Sequence, residues 1–137
     1  MRIVFDTNVL VAAFATHGIC DSLFEHAIEN HIIVLSEYIL NELSKTLIEK
    51  FKITETKTSE IINFLKLSCE ISEHKKFESQ ISRDPDDDPI LGIIEVSNID
   101  FLVTGDKDLL VLKKYKNTPI ILPRKLWEVF KNYQIDI

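Results

Sequence analysis

The sequence predicts an α/β fold: a parallel sheet with helices on both faces. Three observations predict it. Short apolar runs alternate with helical stretches along the chain. The first run, Ile3 to Phe5, is apolar without alternation, as expected of a strand covered on both faces. Two strand-like runs end abruptly in polar residues, Asp6-Thr7-Asn8 and Thr104-Gly105-Asp106. In an open α/β sheet, the carboxyl ends of the strands are where ligands bind.

In chain order, Ile3–Phe5 is the first strand and Val9–Ala15 the first helix, with Gly18 marking its end. Asp21 is a cap for the next helix, which carries Leu23, Phe24, Ala27 and Ile28 at spacings of three and four. His31–Leu35 is the second strand. Ser36 caps a helix in which Ile39, Leu43 and Leu47 stack on one face, with Glu42 at its flank. Thr54–Lys66 is helical, and Ser68–Ser72 a short third strand. Glu73–Ser82 is charged and irregular. Pro89 suits the first turn of a buried helix, because a proline's missing N–H costs nothing there, and this makes Asp88 its cap. Asn98 ends that helix. Phe101–Val103 is the fourth strand, followed by a short helix over Leu109–Lys114. Pro119–Leu122 is the fifth strand and Arg124–Tyr133 the last helix. Crossovers between the parallel strands are expected to be right-handed.

The chain has 137 residues, 45% of them apolar, enough for one domain over residues 1–137 with a real core. No apolar run approaches the ~20 residues of a membrane helix. Asp6 and Asn8 interrupt what would otherwise imitate a signal peptide. Cys20 and Cys69 form neither a metal spacing nor a disulfide framework, which suits reduced thiols and a cytoplasmic location. The net charge is −6 and the pI about 5.2. Such acidity opposes a nucleic-acid role unless an acidic metal site coexists with a basic face elsewhere. Lys107, Lys113, Lys114, Lys116, Arg124 and Lys125 are candidates for that face, though ordinary solvated lysines explain them as well.

The acidic residues carry the chemistry. Asp6 after a buried strand reads equally as a helix cap or a ligand. Glu42 alone reads as solvated. Asp86-Asp87-Asp88 exceeds what capping needs, and leaving all three ionised requires water or a cation. Asp106 and Asp108, with Thr104, repeat the pattern of strand followed by carboxylate, and Gly105 permits close approach or a positive φ. Oxygen-only ligands suit Mg²⁺ or Mn²⁺ rather than zinc. The EF-hand pattern, a phosphate-binding glycine loop and a Ser-His-Asp elbow are all missing. His17, His26, His31 and His74 show no ligand spacing and read as surface or structural.

Together these residues resemble the PIN-domain family. The resemblance rests on Val4-Phe5-Asp6-Thr7-Asn8-Val9-Leu10, on Glu42, on Asp86-Asp87-Asp88-Pro89-Ile90-Leu91, and on Val103-Thr104-Gly105-Asp106-Lys107-Asp108-Leu109-Leu110. The form of the last two motifs is similar to the branch related to VapC-like toxins of toxin–antitoxin pairs. The resemblance implies a five-stranded parallel sheet in the order 3-2-1-4-5, which makes strands one and four neighbours at the topological switch. It implies metal-dependent ribonuclease activity, an antitoxin partner and a homodimer. By motif position its acidic core maps to Asp6, Glu42, Asp88 and Asp106, as catalytic residues and as ligands of Mg²⁺ or Mn²⁺. Asp86 and Asp87 compete with Asp88, which is preferred because it directly precedes the buried helix. Asp108 is a fifth contributor, and Asn8 and Thr104 are orienting residues.

Two other readings stand beside this one. A receiver-like phospho-acceptor switch also clusters aspartates, but it wants a lysine after its fifth strand, and none stands there before Pro123. A non-catalytic PIN-like module that binds RNA or protein is the third.

Overall fold

A computed structural model describes residues 1–16 and 18–135, with side chains through residue 132; His17 lies outside the described residues. The strands are β1 (Arg2–Phe5), β2 (Ile32–Leu35), β3 (Glu70–Ile71), β4 (Phe101–Val103), β5 (Lys114–Tyr115) and β6 (Thr118–Ile121). The helices are α1 (Thr7–Ala15), α2 (Ile19–Asn30), α3 (Glu37–Glu49), α4 (Glu55–Ser68), α5 (Asp88–Val96), α6 (Lys107–Leu110) and α7 (Pro123–Ile135). A 3₁₀ turn, Pro85–Asp87, leads into α5.

The sheet has six strands in the order β3-β2-β1-β4-β6-β5. Every pairing is parallel except β5 with β6. The expected order 3-2-1-4-5 is therefore present, with β6 as the fifth parallel strand. The sixth strand is a correction. Lys113 and Lys116 adopt φ of 62° and 53°, which ends the chain's helical course early and turns it back as a hairpin. The helix expected over Leu109–Lys114 consequently spans Lys107–Leu110. A receiver-like domain is excluded by the same topology, since that fold has the order 2-1-3-4-5.

The central strands are apolar because both faces are covered. Ile3, Val4, Phe5, Val34, Leu35, Leu102 and Val103 are all fully buried. From α3, Ile39, Leu43 and Leu47 enter the same core at intervals of four, each contributing about 1.5–3 kcal/mol by leaving water. Other boundaries differ from expectation in small ways. Gly18 is the N-cap of α2 rather than the end of α1, and Asp21 sits in the first turn of α2 without capping it. Ser97, one residue before Asn98, closes α5.

Residues 73–82 form an irregular strap across α5. The Lys75 N–H donates to the Gly92 carbonyl at 3.0 Å. The approach requires a glycine, because a Cβ on residue 92 would lie 2.4 Å from the Lys75 carbonyl oxygen. At the end of the sheet away from the strand-end carboxylates, the His31 ring stacks on Phe130 at 4.6 Å, and His26 lies against Trp127 and Phe130. Both histidines pack into this aromatic cluster.

Candidate functional site

β1 and β4 are adjacent and parallel, with Phe5 opposite Val103. One residue further on each strand stand Asp6 and Thr104. The Asp6 N–H continues the ladder to the Val103 carbonyl at 2.9 Å. The side chains then meet directly, for the Thr104 hydroxyl donates to Asp6 Oδ2 at 2.7 Å. Asp6 Oδ1 accepts the Thr7 N–H at 2.7 Å, so Asp6 both caps α1 and faces the crevice. The Thr104 hydroxyl also accepts the Asp106 N–H at 2.9 Å. The Asp106 carboxylate caps α6 through Oδ1, which accepts the Asp108 N–H at 2.9 Å. Asn8 Oδ1 accepts the Gly105 N–H at 3.3 Å and joins the two strand ends once more. Gly105 has no positive φ, and a Cβ there would meet open space, so the glycine is not demanded by the backbone.

The third carboxylate is Asp87. One oxygen each of Asp6, Asp87 and Asp106 lies within 4.8 Å of the others. Asp87 is the N-cap residue of α5, yet its side chain makes no capping bond. It is 7% exposed, and its Oδ2 has no hydrogen-bond partner among the described residues. The expectation of Asp88 is corrected here. The 3₁₀ turn places the helix boundary so that Asp88 is already the first helical residue, turned about 100° from Asp87. Its carboxylate instead accepts the Ile81 N–H at 3.0 Å, and the Ser82 N–H and hydroxyl at 2.9 and 2.6 Å. Asp88 is the hook that holds the strap.

Glu42 lines the same cavity, of about 380 Å³, without joining the close group. Asp86 is at its rim, where its carbonyl accepts the Tyr38 hydroxyl at 3.1 Å. Asp108 belongs to a second group with Asp84 and Asp87, but Arg83 already pairs with it at 2.8 Å. The late basic residues are partly neutralised, since Lys116 pairs with Glu95 and Lys125 with Glu128.

Burial raises the Asp6 carboxyl above the usual range, against the opposing bonds from Thr104 and Thr7. Burial, and then the charges of Asp106 and Asp6, push Asp87 up to about 8. Burial and then the charges of Glu42, Asp86, Asp87 and Asp84 push the Tyr38 phenol up to about 12. Asp88 goes the other way. Burial raises it, but the Ser82 and Ile81 donors outweigh that and hold it low.

This is a self-repelling, oxygen-only donor set with one orphaned buried oxygen. It fits a hard divalent cation, which Asp6, Asp87 and Asp106 could hold. Sequence reading kept Asp87 only as a competitor of Asp88 and did not single out Tyr38 or Arg83. Tyr38 was detectable, because it stands four residues before Glu42 on the same helical face.

An α/β sheet with a carboxylate crevice at its switch point defines a class of metal-competent acidic domains. Comparison with known proteins makes the class specific. The family model described as PIN domain matches residues 2–108, and the chain belongs to that family. No curated protein matches it at a significant level. Among solved structures it is similar to VapBC2 from Rickettsia felis bound to a DNA fragment from their promoter. That match has 19% identity and a TM-score of 0.61, and covers 89% of this chain and 98% of that one. It is also similar to the PIN domain endonuclease Utp24, at 18% identity and a TM-score of 0.53, covering 88% and 84% of the two chains. At these identities both matches speak for the fold.

Proposed function

We propose that this chain is a metal-dependent endoribonuclease, the toxin of a toxin–antitoxin pair, acting on RNA phosphodiester bonds. The observation that carries the reading is the buried Asp87 carboxylate, one oxygen unpartnered, grouped with Asp6 and Asp106 at the switch point of a PIN-domain sheet. Mg²⁺ or Mn²⁺ would be held by Asp6, Asp87 and Asp106, with Glu42 facing the same cavity. When bound, the ion supplies positive charge beside the scissile phosphate and lowers the pKa of a water.

The protein's own residues do the rest. Thr104 fixes the Asp6 carboxylate and the Asp106 backbone in one orientation. Asn8 ties the two strand ends. Glu42, which lines the same cavity, would accept a proton from the attacking water. Arg83, exposed and paired to Asp108, which groups with Asp87, would offer charge to a non-bridging phosphate oxygen. The VapBC2 likeness supports a protein antitoxin as partner. A homodimer, a cytoplasmic location and one domain over residues 1–137 complete the proposal; no described helix is long and apolar enough to cross a membrane.

The test is cleavage of single-stranded RNA in Mn²⁺, with a chelated control, comparing the wild type with Asp6→Asn. Cleavage by the wild type alone, abolished by chelation, is expected. Equal cleavage by both, or cleavage surviving chelation, would sink the assignment. Binding without any cleavage would instead mark a non-catalytic PIN-like module.

A further inference from the structure

The cavity extends well beyond the carboxylates. Tyr38, Glu42, Thr46 and Lys50 recur every four residues along α3 and its C-cap, and all four line it. Phe51 follows at the far end, and Val11 of α1 lines the cavity as well. At 1.5 Å per residue, Lys50 stands about 12 Å along the helix from Glu42.

Three features distinguish this end. Phe51 is a large apolar ring that is 45% exposed. Lys50 is exposed and has no ion pair among the described residues. The turn that presents them is pinned. Lys52 adopts a left-handed φ of 55°, and the Ile53 N–H returns to the Leu47 carbonyl at 3.0 Å, which folds the chain back over the end of the helix. A non-glycine residue held in that conformation keeps Phe51 on a defined turn at the mouth of the cavity.

We propose that Lys50 and Phe51 form a nucleotide subsite for single-stranded RNA, next to the position of the cleaved bond. The Phe51 ring stacks on an unpaired base, and the Lys50 ammonium meets a neighbouring phosphate. The inference rests on the ribonuclease reading for where the bond is cut. Charge complementarity selects the occupant. One end of the cavity is acidic and suits a cation, while the other offers an unpaired cation and an apolar ring, the two elements of a single-strand groove. A duplex keeps its bases stacked inside and cannot lay one on Phe51.

The test is equilibrium binding of a fluorescently labelled single-stranded RNA oligonucleotide, measured by anisotropy in Ca²⁺ across a salt series. Phe51→Ala should weaken binding about tenfold, and Phe51→Trp should restore it. Lys50→Ala should lower the slope of log K against log salt by about 0.7. Lys45→Ala, on α3 but outside the cavity, should change neither.

Unchanged binding in both Phe51→Ala and Lys50→Ala would overturn the proposal, as would no binding by the wild type. Equal losses in Lys45→Ala and Lys50→Ala would overturn it too, by marking diffuse attraction. So would RNA binding indifferent to Phe51 alongside a peptide segment whose binding needs it. Phe51-dependent binding without RNA cleavage would uphold the subsite while removing the nuclease reading.

Discussion

The Thr104 hydroxyl donates to Asp6 Oδ2 at 2.7 Å across the junction of the two central strands. The Thr104 hydroxyl oxygen in turn accepts the Asp106 N–H at 2.9 Å. One fully buried hydroxyl therefore ties the Asp6 carboxylate to the backbone of Asp106. Thr104→Val keeps the shape and removes the bond. It should cost about 1–3 kcal/mol, by leaving the Asp106 N–H without its acceptor and Asp6 without a donor. Thr104→Ser should recover most of the loss. Chemical denaturation of the three proteins checks this, and equal stability of Val and Thr variants would contradict it.

Asp88 anchors the strap, whereas Asp87 faces the crevice. Asp88→Asn should loosen residues 73–82, because a neutral amide is a weaker acceptor for the Ile81 and Ser82 N–H groups. Limited proteolysis should then cut the strap faster in Asp88→Asn than in Asp87→Asn. The reverse order of cleavage would be incompatible with the strap contacts.

The choice between these neighbours shows where sequence reading ends. Asp6 and Asp106 were legible because each follows a short apolar run, and a parallel sheet brings such ends together. Glu42 was legible as the flank of an amphipathic helix. Asp87 and Asp88 have the same chemistry, and their orientation depends on whether a 3₁₀ turn precedes the helix, which shifts the boundary by one residue. The β5–β6 hairpin was hidden for a similar reason. Its left-handed positions are lysines, not the Asn or Gly that ordinarily announce such a turn.

The Gly92 contact makes a separate prediction. In Gly92→Ala the new methyl would overlap the Lys75 carbonyl oxygen, which is backbone and cannot rotate away. The strap must lift, at a cost of about 1–3 kcal/mol. A thermal melt unchanged from wild type would show that the strap is not held against α5 at this point.

The raised Asp87 carboxyl makes stability depend on pH. In the metal-free folded protein it titrates near 8, whereas in the unfolded chain an aspartate titrates near ~3.9. Between those values the folded state holds a proton that unfolding releases, so stability falls as pH rises through the interval. Asp6 is shifted in the same direction. The melting temperature of chelated wild type should therefore drop between about pH 5.5 and 8.5 more than that of Asp87→Asn. Mn²⁺ should restore stability at the upper pH by binding the folded state. A wild-type slope no steeper than that of Asp87→Asn would refute the raised carboxyl.

Titration calorimetry with Mn²⁺ on the wild type, Asp87→Asn and Asp88→Asn addresses the acidic centre most directly. A centre built from Asp6, Asp87 and Asp106 predicts similar binding by wild type and Asp88→Asn, and loss of binding by Asp87→Asn. Undiminished binding by Asp87→Asn, with loss in Asp88→Asn, would contradict it.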